Sequence, residues 1–237
     1  MNGSINLVGS GEYLPVMRDV DRYLLESLHL NGRKPRVACL ATAAGREGDS
    51  SVNRWLSMGI QHFQGLGAEA IPVRVVDHES ANDPQWEPVL ESADLIYFSG
   101  GDPGYLYETL KGSSAWGAAR RAWERGAIYA GCSAGAMILG KYIPGLRLSG
   151  VQAGFAIVPV TYIVPHFDAI PAIWKPIVFG LQRQLKAGER MIGIDEDTAL
   201  IGRLGGEWTV KGKGSVHIFT AGGNKTRYAG GESLILE

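Results

Sequence analysis

Five short apolar runs, each separated from the next by a stretch with helical periodicity, constrain this chain more than any other feature. They read SINLVGSG (4–11), RVACLATAA (36–44), EAIPVRVV (69–76), DLIYFSGG (94–101) and AIYAGCS (127–133). Runs this short and this continuously apolar suit strands covered on both faces. Between them, VMRDVDRYLLESLHL (16–30) places Val16, Val20, Tyr23, Leu24 and Leu28 on one helical face, and SSVNRWLSMGIQHFQGLG (50–67) and PQWEPVLESA (84–93) read as further helices. GYLYETLKGS and SAWGAARRAWERG supply helices before the fifth run. The alternation predicts an α/β fold: a mostly parallel sheet with helices on both faces and right-handed crossovers. Sites in such sheets lie beyond the carboxyl ends of the strands. The loops to watch are therefore GSGEYLP, TAAGREGDS, SGGDPGY and CSAGA.

The last third changes period. MIGIDEDTALIGRLGGEWTVKGKGSVHIFT (191–220) has short runs broken by Gly-Gly and Lys-Gly-Lys-Gly, the pattern of C-terminal β-hairpins. These strands are expected to extend the sheet or pack beside it. No linker-like stretch intervenes, so residues 1–237 are read as a single domain. A net charge of −1 without a basic run argues against nucleic acid as the main partner. No apolar stretch approaches bilayer-spanning length, so no membrane partner is expected. Cys39 and Cys132 lie in apolar stretches, and the N-terminus lacks the pattern of a signal peptide, which together suggest the cytoplasm.

Gly131-Cys132-Ser133-Ala134-Gly135 fits G-x-S-x-G, a strand-to-helix bend that pushes a nucleophilic serine out of a sheet. The helix that follows turns its first amides toward negative charge, and the N–H of Ala134 is placed to meet an oxyanion. Gly100-Gly101 ends the preceding strand and can aim backbone N–H groups inward. Asp102 and Pro103 beside it read as a helix cap and first helical residue. A serine needs a base. Of five histidines, His166 alone ends an apolar run, AIVPVTYIVPHFD, where a later strand would deliver an imidazole to the elbow. A structural histidine is the competing reading of that residue.

YFSGGDPGYL, AGCSAGAM, IVPHF and GIDEDTALI, in that order, resemble the peptidase S51 family, the dipeptidase E and cyanophycinase group of the class I glutamine amidotransferase-like fold. The resemblance implies a serine hydrolase acting on short peptides or isoaspartyl-linked chains with an acidic residue at the cleavage point. It implies Ser133 as nucleophile, His166 as general base and Gly101 with Ala134 as oxyanion hole, with no metal or organic cofactor. An amidotransferase would need cysteine at position 133; here Cys132 precedes the serine and reads as buried filler. Dipeptidase E-like members carry a third, acidic residue between serine and histidine, yet residues 134–165 contain no Asp or Glu. Glu196 and Glu12 are the candidate replacements, with Asp168 too near His166 in sequence for easy contact. Gln152, a backbone carbonyl or water could also steady the histidine. Asp102 and Gln152 are candidate substrate contacts. Lys175, Arg183, Arg46 and Arg54 are candidate partners for an acidic substrate, and Trp174 is a nearby aromatic. The expected partner is a small peptide, and a homodimer is compatible with the sequence. Two other readings stay open: a hydrolase for another small amide or ester, and a catalytically silent ligand-binding protein.

Overall fold

The computed structural model describes residues 2–145 and 151–236, so part of the acid-free stretch, residues 146–150, lies outside the described residues. The five apolar runs form β1 (Ile5–Val8), β2 (Arg36–Leu40), β3 (Glu69–Val73), β4 (Leu95–Phe98) and β5 (Ile128–Cys132). They pair in parallel in the order β1-β5-β4-β2-β3. The connecting helices are α1 (Arg18–Glu26), α2 (Asp49–Gln64), α3 (Trp86–Glu91), α4 (Pro103–Leu110) and α5 (Ser114–Glu124).

Side chains alternate across the sheet. Ile5, Leu7, Leu40 and Phe98 pack on one face with Trp116 and Tyr129. Val8, Val37, Cys39 and Tyr97 pack on the other with Leu24 of α1 and Phe63 of α2. Both faces are apolar, which explains why the runs read as continuous rather than alternating. Full burial of one such Leu or Phe is worth about 1.5–3 kcal/mol.

Each strand ends sooner than its apolar run. Gly9-Ser10-Gly11 and Ser99-Gly100-Gly101 leave the sheet as loops, and Thr42–Glu47 coils into a 3-10 turn. The reason in the last case is packing: Ala43 and Ala44 are buried under the neighbouring loop, and the Ala43 carbonyl accepts the Asp102 N–H at 2.9 Å.

The C-terminal region takes both routes open to it. β10 (Thr198–Gly202), β11 (Glu207–Gly212) and β14 (Ser233–Ile235) add antiparallel to the β1 edge, completing an eight-stranded sheet. β8 (Tyr162–Val164), β9 (Arg190–Ile194), β12 (Ser215–Thr220) and β13 (Lys225–Ala229) form a second, four-stranded sheet. Within it β8 and β9 are parallel. A short helix α6 (Ala134–Met137) follows β5, β6 (Tyr142–Ile143) pairs with β7 (Gln152–Ala153), and α7 (Lys175–Arg183) lies between β8 and β9 in sequence. No helix among the described residues is long and apolar enough to cross a membrane.

Candidate active site

Ser133 occupies the one-residue bend between β5 and α6, with φ 48° and ψ −105°. An L-residue pays of order 1–3 kcal/mol for such a conformation, so surrounding contacts must hold it there. They do: its N–H donates to the Val8 carbonyl at 2.9 Å, and its carbonyl accepts from Met137 N–H at 2.9 Å. The flanking glycines are sterically required. A Cβ on Gly131 would lie 2.4 Å from the Gly135 carbonyl carbon, and one on Gly135 would lie 2.6 Å from the Phe98 carbonyl oxygen. The chain crosses itself here with no room for larger neighbours, and the half-buried serine is left facing a cavity.

His166 and Glu196 arrive from the second sheet. The parallel register of β8 and β9 sets Val164 against Gly193, so the loops that follow leave side by side. Phe167 N–H donates to the Ile194 carbonyl at 3.0 Å and ties them. His166 also has a positive φ, 50°. Its Nε2 lies 3.2 Å from Ser133 Oγ and its Nδ1 lies 2.8 Å from Glu196 Oε1. One tautomer satisfies both contacts: Nδ1–H donates to the carboxylate, which leaves Nε2 to accept the serine hydroxyl. Glu196 is itself fixed, since its N–H donates to Asp168 Oδ1 at 2.8 Å and its carbonyl accepts from the Thr198 hydroxyl at 2.8 Å.

Gly101 has φ 142°, and a Cβ there would lie 2.5 Å from the Ala43 carbonyl oxygen, so only glycine fits. Among the described residues, neither the Gly101 nor the Ala134 N–H donates to a protein backbone acceptor outside regular structure. The neighbouring Gly100 N–H, in contrast, donates to Glu12 Oε1 at 2.9 Å. Gly101, Ser133, His166 and Glu196 all line one cavity of about 360 Å³.

The two acidic candidates separate cleanly. Glu196 touches His166. Glu12 does not: it is buried, one carboxylate oxygen takes the Gly100 N–H, and the other accepts the Cys132 thiol at 2.9 Å. The expectation that Glu12 could serve the histidine is thus corrected, because its two oxygens are taken by the Gly100 N–H and the Cys132 thiol. Burial, reinforced by that same carboxylate, pushes the Cys132 thiol well above its ordinary range. Asp102 caps α4 by accepting Tyr105 N–H at 2.9 Å. Gln152 donates to Glu108 at 2.8 Å rather than to the histidine. Arg46 lies over the Tyr105 ring with its guanidinium carbon 4.6 Å from the centroid, Arg54 lies over Trp55, and Lys175 lines a different cavity.

Sequence reasoning missed the hold of Asp168 on the Glu196 backbone. Its position two residues after His166, in the loop that meets GIDEDTAL, was the available signal.

A family model described as peptidase family S51 matches residues 5–205. A peptidase of known crystal structure from an acI-B1 actinobacterium is 39% identical, with 99% of this chain and 97% of that one covered and a TM-score of 0.87. A putative peptidase E protein from Listeria monocytogenes shares the fold at 20% identity, with 90% of this chain and 99% of that one covered and a TM-score of 0.65. Cyanophycinases from Nostoc sp. and Synechococcus elongatus are 27% and 28% identical over 67% and 66% of this chain. The matched region spans 56% and 51% of those two proteins, so the chain spans about half the length of the curated relatives it matches. The strained serine elbow, the histidine and carboxylate beside it and the match over most of the chain agree: the chain belongs to peptidase family S51.

Proposed function

We propose that the chain is a serine peptidase that removes residues from short peptides, as an exopeptidase or dipeptidase, through an acyl-enzyme on Ser133. The observation that carries this reading is the unbroken path from Ser133 Oγ to His166 Nε2 at 3.2 Å and from His166 Nδ1 to Glu196 at 2.8 Å. Ser133 Oγ adds to the scissile carbonyl as its proton passes to Nε2, and Glu196 stabilises the imidazolium. The Gly101 and Ala134 N–H groups receive the developing oxyanion. Collapse breaks the C–N bond, and the leaving amine takes the proton from Nε2. Water then attacks the acyl-enzyme by the same route, with Nε2 first accepting its proton and then returning a proton to Ser133. Protein groups carry every one of these steps.

The family match and the peptidase and cyanophycinase names of relatives favour an amide substrate. Two buried free thiols agree with a reducing, cytoplasmic setting. The catalytically silent reading loses its main motive, the missing acid, once Glu196 sits on the histidine. Release of free amine from a dipeptide panel tests the proposal. The expected result is turnover by the native protein and a loss of at least about 1,000-fold in Ser133→Ala. Equal turnover by the variant would sink the assignment.

A further inference from the structure

The cavity beside Ser133 is walled by side chains that an acidic substrate has no use for. Trp174, Ile177, Val178 and Leu181 line it from α7 and its N-terminal flank, and Met137 and Val164 line it too. Positions 174, 177, 178 and 181 share one helical face, so α7 turns an apolar stripe inward. Among the described lining residues, His166 and Glu196 are the ionisable ones; they hydrogen-bond each other, and His166 also meets the serine. Lys175 instead lines a separate cavity with Asp168 and Phe179, and Arg46 stands beside Asp102 at 3.9 Å. A substrate carboxylate placed here would lose water, meet no cation among these residues and approach the Glu196 carboxylate.

We infer that the residue whose carbonyl is attacked carries an apolar or aromatic side chain, seated in this cavity against Trp174, Ile177, Val178 and Leu181. The inference rests on the serine peptidase reading for the direction of attack, and it seats the acyl side of the attacked carbonyl, not the leaving amine, in the cavity that Ser133 and Gly101 both line. A volume of about 360 Å³ accommodates a branched or aromatic side chain with part of its backbone. The acidic preference implied by the resemblance gives way to an apolar one.

The test compares kcat/KM for Leu-Ala, Phe-Ala and Asp-Ala, and in parallel measures binding of Phe-Ala and Asp-Ala to Ser133→Ala by calorimetry. The expected result is a preference for the apolar dipeptides of about ten-fold or more. Ile177→Lys should compress or invert that preference, and Trp174→Ala, which only shortens the wall, should weaken Phe-Ala most. Equal or better cleavage of Asp-Ala by the native protein overturns the inference while leaving the peptidase reading intact. If no dipeptide is cleaved, the peptidase reading fails and calorimetry still decides: tighter binding of Phe-Ala supports the apolar seat, and equal or weaker binding overturns it.

Discussion

Two histidine–carboxylate pairs in this molecule have the same length and opposite settings. His166 and Glu196 stand 2.8 Å apart with 43% and 45% of their side chains exposed. His62 and Asp21 also stand 2.8 Å apart, but with 5% and 1% exposed, between α1 and α2 and against the rings of Tyr13 and Phe63. The second pair is the better buried, and among the described residues its histidine hydrogen-bonds no nucleophile. The first keeps its far nitrogen on a serine at the mouth of a cavity. A close histidine–carboxylate contact therefore says nothing about chemistry by itself. What the far ring nitrogen meets, and whether a substrate can reach it, separates a catalytic pair from a structural one.

The contrast can be broken most severely by removing each histidine. His166→Ala is expected to lower kcat/KM by about 10,000-fold with little change in Tm. His62→Ala should strand a buried carboxylate, costing about 3 kcal/mol and roughly 6–12 °C in Tm, while kcat/KM per folded molecule holds. Thermal melts and initial rates on the same preparations read both. Similar effects of the two changes would erase the distinction.

A smaller effect comes from the acids. Glu196→Gln keeps the shape but loses the charge that steadies the imidazolium, so kcat should fall about 100-fold, less than for a fully buried triad acid because solvent shares the task. Asp21→Asn should leave kcat alone. Next in size is Glu12, which hydrogen-bonds neither Ser133 nor His166 but anchors Gly100 beside Gly101, the proposed oxyanion donor. Glu12→Gln is expected to reduce kcat about ten-fold with KM nearly constant, measured with the best dipeptide.

The smallest effect concerns a third pair, His217 and Asp195, 3.0 Å apart on β12 and just beyond β9. Burial lowers the His217 pKa from 6.5, helped by the positive charges of Lys225 and Arg227 and opposed by Asp195. A depressed folded value means that the unfolded chain binds the proton first. The resulting stability is present above about pH 6.5 and is lost as pH falls through the lower folded value. Urea midpoints should therefore decline below neutrality, and His217→Gln should flatten that decline. An unchanged slope would show that His217 does not contribute.

The layered core and the elbow were legible because both are written locally. Apolar runs, helical faces and the Gly131-to-Gly135 bend need only near neighbours in sequence to be recognised. The choice between Glu12 and Glu196 was not local. Each follows a strand near the site, and only the parallel pairing of β8 with β9, set by Val164 against Gly193, decides which one meets His166. The cavity wall escaped for a related reason. The segment FDAIPAIWKPIVFGLQRQL offers Lys175 and Arg183 as cations, but the face of α7 turned toward the serine is the apolar one. The strands beside the fifth run end at Val8 and Phe98, short of their apolar runs, because glycines let the chain leave the sheet early, at Gly9 and Gly100.

The shared proton between Ser133 and His166 can be probed directly by labelling with an alkyl fluorophosphonate and mapping the adduct by mass spectrometry. The expected result is a single adduct on Ser133 in the native protein, nearly absent in His166→Ala and retained in His62→Ala. No adduct on Ser133, or equal labelling with and without His166, would contradict the assignment of these two residues as nucleophile and base.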